Sequence, residues 1–108
     1  MSNLVHDQIS KDISENKIMV YMKGTPQMPQ CGFSKAVVDV FEVLGVPFGS
    51  KDVLADPDLR DGIKSFTQWP TIPQVFIDGK FIGGCDIIRE MYFNGELEPL
   101  VKAALQKS

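Results

Sequence analysis

Trp69-Pro70-Thr71-Ile72-Pro73-Gln74-Val75-Phe76-Ile77-Asp78-Gly79-Lys80-Phe81-Ile82-Gly83-Gly84-Cys85-Asp86 is the stretch that decides the fold. Two short apolar runs, Gln74–Ile77 and Lys80–Ile82, flank Asp78-Gly79. Asp-Gly supplies the positive φ angles that a two-residue primed hairpin turn demands, so the stretch predicts a pair of antiparallel strands. Gly83-Gly84 follows, and a helix is expected from about Asp86, carrying Ile87, Ile88 and Met91 and closed by Asn94-Gly95. A last helix is expected from near Glu96, with Leu97, Leu100, Val101, Ala104 and Leu105 at helical spacing.

Upstream, Asp56-Pro57 marks a helix start, with a capping carboxylate and proline at the first helical position; Leu59, Ile63 and Phe66 form its apolar stripe. Val46-Pro47-Phe48 is expected to open a short strand running near Lys51-Asp52-Val53. Before that, Phe33, Val37, Val40, Phe41 and Leu44 repeat at helical spacing from Gly32, and Gly45 is the stop. Ile18–Met22 is a brief apolar run ending at Lys23-Gly24-Thr25-Pro26, which predicts a buried strand entering a loop. Leu4, Val5, Ile9 and Ile13 predict a short amphipathic helix at the N-terminus. The order α-β-α-β-α-β-β-α-α predicts an α/β fold, a mixed four-stranded sheet flanked by helices, because a β-α-β unit favours a parallel pair and the hairpin adds antiparallel strands.

The chain has 108 residues, which suits one domain spanning 1–108. Its 11 Lys+Arg against 14 Asp+Glu leave no general cationic field for nucleic acid or anionic membranes. No apolar run approaches the roughly 20 residues of a membrane span. The first residues hold no basic n-region and no Arg-rich presequence, so a cytosolic-type protein is expected. Two cysteines are too few for a disulfide scaffold, and one histidine cannot complete a zinc cluster. Any chemistry is expected to run through a thiol.

Cys31 is the candidate. It lies between a polar loop and a helix start, where free backbone N–H groups and the helix dipole favour the thiolate, and Lys23 is positioned to add positive charge. A cytosolic cysteine is most often buried and inert, but the loop before Cys31 and Gly32 after it argue for exposure. Cys31-Gly32-Phe33-Ser34 has the spacing of a Cys-x-x-Cys redox motif with serine in the second place. Serine cannot form the disulfide that resolves a mixed disulfide, so the thiolate must finish with another thiol or act as a soft metal ligand. Pro73 is either cis, offering the backbone of Thr71 and Ile72 to an extended peptide, or an ordinary trans loop proline; both stay open. Asp86 either caps its own helix or meets an ammonium group. Cys85 reads as a small residue packed at a helix start, and Arg60, taken alone, as a solvated charge. A Cys31–Cys85 disulfide is a further option that needs their Cα atoms within roughly 4.4–6.8 Å.

Lys23-Gly24-Thr25-Pro26, Pro29-Gln30-Cys31-Gly32-Phe33-Ser34, Trp69-Pro70-Thr71-Ile72-Pro73-Gln74-Val75 and Gly83-Gly84-Cys85-Asp86 together closely resemble the monothiol, CGFS-type glutaredoxins, in order and over about residues 4 to 105. The resemblance implies a thioredoxin-like fold and a glutathione site. In that site Lys23 and Arg60 meet the glycyl carboxylate, and Thr71 and Ile72, ahead of a cis Pro73, pair with the cysteinyl unit. Cys85 and Asp86 hold the γ-glutamyl group. The resemblance further implies that Cys31 ligates a [2Fe–2S] cluster shared with a second subunit, each iron taking one protein and one glutathione thiolate. BolA-like proteins and apo iron–sulfur clients are the implied partners, and a bacterial-type cytoplasmic location, or a mature form in the mitochondrial matrix, is what the resemblance implies.

Three functions compete. The first is a carrier that hands the cluster to apo-proteins. The second is a glutathione-dependent oxidoreductase acting through Cys31, for which weak turnover at most is expected, because in this family the extra loop after Lys23 turns the glutathione thiol away. The third is an adaptor working in complex with a BolA-like partner, with Phe33 and Trp69 as the apolar residues near the site.

Overall fold

The computed structural model describes residues 2–107; Met1 and Ser108, the ends of the expected 1–108 domain, lie outside the described residues. The order is α1 (Ser2–Glu15), β1 (Ile18–Met22), α2 (Gly32–Leu44), β2 (Gly49–Asp52), α3 (Pro57–Thr67), β3 (Gln74–Ile77), β4 (Lys80–Gly83), α4 (Cys85–Phe93) and α5 (Leu97–Gln106). The strands form one sheet in the order β2-β1-β3-β4. β1 runs parallel to β2 and antiparallel to β3, and β3 and β4 form the expected hairpin. Its turn residues have φ 54 at Asp78 and φ 76 at Gly79, the primed geometry that lets the strands keep their twist. The Asp78 carboxylate faces Lys107 and Lys17, which ties the hairpin to the end of α5.

β1 is central and buried on both faces, as its unbroken apolar run requires. Alternation sends Ile18, Val20 and Met22 into one core with α2, α4 and α5, and Met19 and Tyr21 into a second core with α1 and α3. Val75 and Ile77 of β3 join the first core, and Phe76 the second. Beneath α3 the rings of Trp69, Phe81, Phe76 and Phe66 follow one another at 5.5–6.1 Å between centroids. Close approach of α1 to α3 needs Gly62: a Cβ there would stand 2.2 Å from Val5 Cγ1. One carboxylate is buried in this layer. Asp12 accepts from the Tyr21 hydroxyl (2.9 Å) and Gln8 Nε2 (2.8 Å) and faces Lys51 Nζ at 3.4 Å, so its desolvation is offset by three partners.

Three local expectations are corrected. β2 starts at Gly49, not at Val46: Val46 and Phe48 pack on the first core from a loop, and Pro47 between them has no N–H for a ladder. Phe33 does not lie on the buried stripe of α2, which is Ser34, Val37, Val38 and Phe41 with Val40; Phe33 is 62% exposed. α4 begins at Cys85, capped by Gly84, so Asp86 is not its N-cap.

Candidate functional site

Cys31 is the N-cap of α2, in extended backbone (φ −156, ψ 137). Its carbonyl accepts the first helical bond from the Lys35 N–H at 2.9 Å. The side chain makes no closed capping hydrogen bond; the sulfur instead faces the unpaired N–H groups of the first turn. The Ser34 N–H first, then the Phe33 N–H, the Lys23 ammonium and the Ser34 hydroxyl hold the Cys31 thiol below its ordinary range, against a smaller opposing effect of burial. An acidified, half-exposed thiol at a helix start is a nucleophile or a soft metal ligand.

The loop before Cys31 is built to hold it there. Lys23 N–H donates to Ser34 Oγ (3.1 Å), and the Lys23 carbonyl accepts from Gln30 N–H (2.9 Å). Gly24 has φ +88, and a Cβ there would lie 2.4 Å from the Met28 carbonyl oxygen, so the loop closes tightly only over glycine. Asp52, the last residue of β2, accepts from the N–H groups of Gly24 and Leu54, both at 2.9 Å, and so locks the loops after β1 and β2 together.

Lys23, Cys31, Arg60, Thr71, Ile72, Pro73, Cys85 and Asp86, the eight residues that the resemblance places in the site, line one groove of about 570 Å³. The Ile72–Pro73 peptide bond is cis, which closes the alternative left open by spacing. Thr71 is exposed at the groove while Ile72 and Pro73 are buried in its wall. Cys31 sits at the start of α2, Cys85 and Asp86 in the first turn of α4, and Arg60 on α3. Burial, first of all, pushes the Cys85 thiol up, with the Arg89 charge opposing. Cys31 and Cys85 are both free thiols.

Lys64 was not singled out, yet it lines the same groove. Its signal was available: it lies four residues after Arg60, one helical turn along the same face. Among the described residues, Lys23, Arg60 and Lys64 form no ion pair with a carboxylate. Three unpaired cations and the carboxylate of Asp86 therefore line one groove in a chain of net charge −3. Trp69, expected as an apolar residue near the site, packs its ring on Phe81 and also lines the groove. Ser34, read as a vacant redox position, is fully buried.

Known proteins are similar to this chain in sequence and fold. The glutaredoxin family model matches residues 18–82. An uncharacterized monothiol glutaredoxin, ycf64-like, of Synechocystis sp. is 53% identical over 98 residues, covering 91% of this chain and 92% of its own length. Glutaredoxin 4 of Haemophilus ducreyi is 48% identical over 101 residues, 94% of each chain. The solution structure of reduced poplar apo GrxS14 superposes with a TM-score of 0.83 at 44% identity, over 94% of this chain and 93% of that one. The sheet order, the helix pairing and these likenesses are those of the thioredoxin-like fold. With a single acidified thiol at the start of α2 and serine three residues on, the chain belongs to the monothiol glutaredoxins.

Proposed function

We propose that this chain, a single glutaredoxin domain over residues 1–108, carries a [2Fe–2S] cluster held with glutathione at a dimer interface and hands it to apo-proteins. The observation that carries this reading is the contrast between Cys31 and Ser34. Cys31 is half-exposed and acidified, whereas Ser34 is buried and hydrogen-bonded to the backbone of Lys23. Ser34 offers no sulfur for disulfide exchange within the motif, and the other thiol, Cys85, is buried in the groove wall with its proton held on.

The groove suits glutathione as ligand. Lys23 and Arg60, with Lys64 beside them, answer the glycyl carboxylate; the Thr71–Ile72 backbone offers itself to the cysteinyl unit; the first turn of α4 and Asp86 answer the γ-glutamyl carboxylate and ammonium. Among the described residues no three His, Cys, Asp or Glu side chains gather to hold a metal, and the half-exposed Cys31 is the thiol each chain offers the cluster in this reading. A [2Fe–2S] unit takes four ligands, and two Cys31 thiolates with two glutathione thiolates supply them. The donor set fits a shared cargo rather than a resident metal. The helix N–H groups and Lys23 favour the Cys31 thiolate for that role, and Phe33 and Met28, 62% and 68% exposed, are apolar residues beside it for a second protein to cover.

A BolA-like protein and apo iron–sulfur clients are the further partners of this reading, with the cytoplasm as its location, or the mitochondrial matrix for a mature form. Among the described residues no helix is long and apolar enough to cross a membrane. The second reading is a glutathione-dependent oxidoreductase, which the acidified Cys31 thiol favours. Anaerobic reconstitution with iron, sulfide and glutathione separates the two. The carrier reading expects one cluster and two glutathiones per dimer, lost in Cys31→Ser. Colourless protein with brisk turnover of a glutathionylated substrate overturns it in favour of the second.

A further inference from the structure

Gln74 opens β3 and has no exposed surface. All of its amide groups are spent on one loop and one helix end. Its Oε1 accepts from the Thr67 hydroxyl (2.8 Å), and its Nε2 donates to the carbonyls of Trp69 (2.9 Å) and Thr71 (3.1 Å). The NH2 end of an amide has two N–H donors and can answer two carbonyls; an ionised carboxylate has none. Thr67 accepts in turn from the Trp69 N–H (3.2 Å), which closes the network. Thr67 is the last residue of α3, the helix that carries Arg60 and Lys64. Trp69 to Pro73 are five consecutive residues of the groove wall. One buried amide thus joins the helix that carries the cations to the loop that carries the backbone edge.

The bond to Thr71 has a directional consequence. The Thr71 carbonyl is turned inward onto Gln74, and in a trans peptide the next N–H points the opposite way. The Ile72 N–H is therefore directed away from Gln74.

We propose that Gln74 is a positioning residue for a peptide-thiol ligand: by holding the Trp69 and Thr71 carbonyls it fixes the side of the loop on which the Ile72 backbone meets an extended peptide. This rests on the glutathione reading of the groove. The test is an NMR titration of 15N-labelled protein with reduced glutathione, comparing the unsubstituted chain with Gln74→Met and Gln74→Glu from about pH 5 to pH 8. Gln74→Met keeps the volume and removes every hydrogen bond; it should weaken glutathione about tenfold at every pH and lower the heteronuclear NOE of Thr71 and Ile72. Gln74→Glu should bind about tenfold more weakly at the alkaline end and recover in part, relative to the unsubstituted chain, as the pH falls and the introduced carboxyl regains a proton to donate. A purely structural role would lower the melting temperature without this pH profile. Glutathione binding equal to that of the unsubstituted chain in a folded Gln74→Met overturns the inference, as does a pH-independent loss in a folded Gln74→Glu. If the unsubstituted chain itself fails to bind glutathione, the glutathione reading falls instead. Gln74 is then judged on the Thr71 and Ile72 NOE in Gln74→Met, where an unchanged value refutes it.

Discussion

Ser34→Ala deletes one oxygen atom and tests two links at once. Ser34 is fully buried and its Oγ accepts the Lys23 N–H at 3.1 Å, which makes it a strut between the end of β1 and the first turn of α2. Alanine is the better helix former and leaves almost no cavity, so the cost is mainly the stranded Lys23 N–H. A buried donor left unsatisfied costs about 1–3 kcal/mol, and Lys23 is half-exposed, which argues for about 1–2 kcal/mol. For a domain of this size that corresponds to a fall of about 4–10 °C in Tm. The same hydroxyl is the smallest of the groups that lower the Cys31 thiol, while the largest is the backbone N–H of residue 34, which alanine keeps. The pH midpoint of Cys31 alkylation should therefore rise but remain below that of a free cysteine, about 8.5. Thermal melts and iodoacetamide rates across pH measure both effects. An unchanged Tm together with an unchanged midpoint would refute the strut, and a midpoint at or above the free-cysteine value would refute the dominance of the backbone N–H.

Alkylation should also rank the two thiols. Cys31 is held low and Cys85 high, so the thiolate of Cys31 forms first as the pH rises; mass spectrometry near neutral pH should find the label on Cys31, and label on Cys85 at an equal rate would contradict the geometry. Gly24→Ala would force a Cβ to within 2.4 Å of the Met28 carbonyl oxygen and 2.7 Å of the Gln30 nitrogen at φ +88; a loss of stability of more than about 1 kcal/mol in urea melts is expected, and wild-type stability would show that the loop does not need glycine. Burial first, then the Asp12 carboxylate, push the Tyr21 hydroxyl above the ordinary phenol range. A raised native value stabilises the fold below the unfolded-state value of about 10 and loses that contribution as the pH climbs past it. Stability should thus fall from about pH 10 upward, and Tyr21→Phe should lose about 1 kcal/mol at neutral pH while flattening the alkaline slope in pH-dependent melts.

Two places show where pattern reading stops. The expected stripe of α2, Phe33, Val37, Val40, Phe41 and Leu44, packs on the first core except for Phe33, and Ser34 and Val38 are buried beside it. Hydropathy favours burying the phenylalanine over the serine at the start of the helix. The fold does the reverse: Ser34 gains a buried hydrogen bond from the Lys23 N–H, while Phe33 is left at the groove. At β2 the apolar residues Val46 and Phe48 predict a strand, yet pairing with β1 begins only at Gly49; Pro47 has no N–H for a ladder, and the Phe48 ring packs on Phe41 at 5.7 Å.

By itself the sequence determined the order of elements, the Asp78-Gly79 hairpin, the Asp56-Pro57 helix start and the identity of the thiol, since each depends on backbone preferences within a few residues. The resemblance carried by motifs far apart in the chain also named eight residues for the site. Only the tertiary structure decided that these eight share one groove, that Lys64 joins them, that Ser34 is a strut rather than a vacancy, and that Gln74 ties Thr67, Trp69 and Thr71 together. Those facts depend on contacts between segments brought together by packing, where burial, not local preference, sets what a polar side chain must bind.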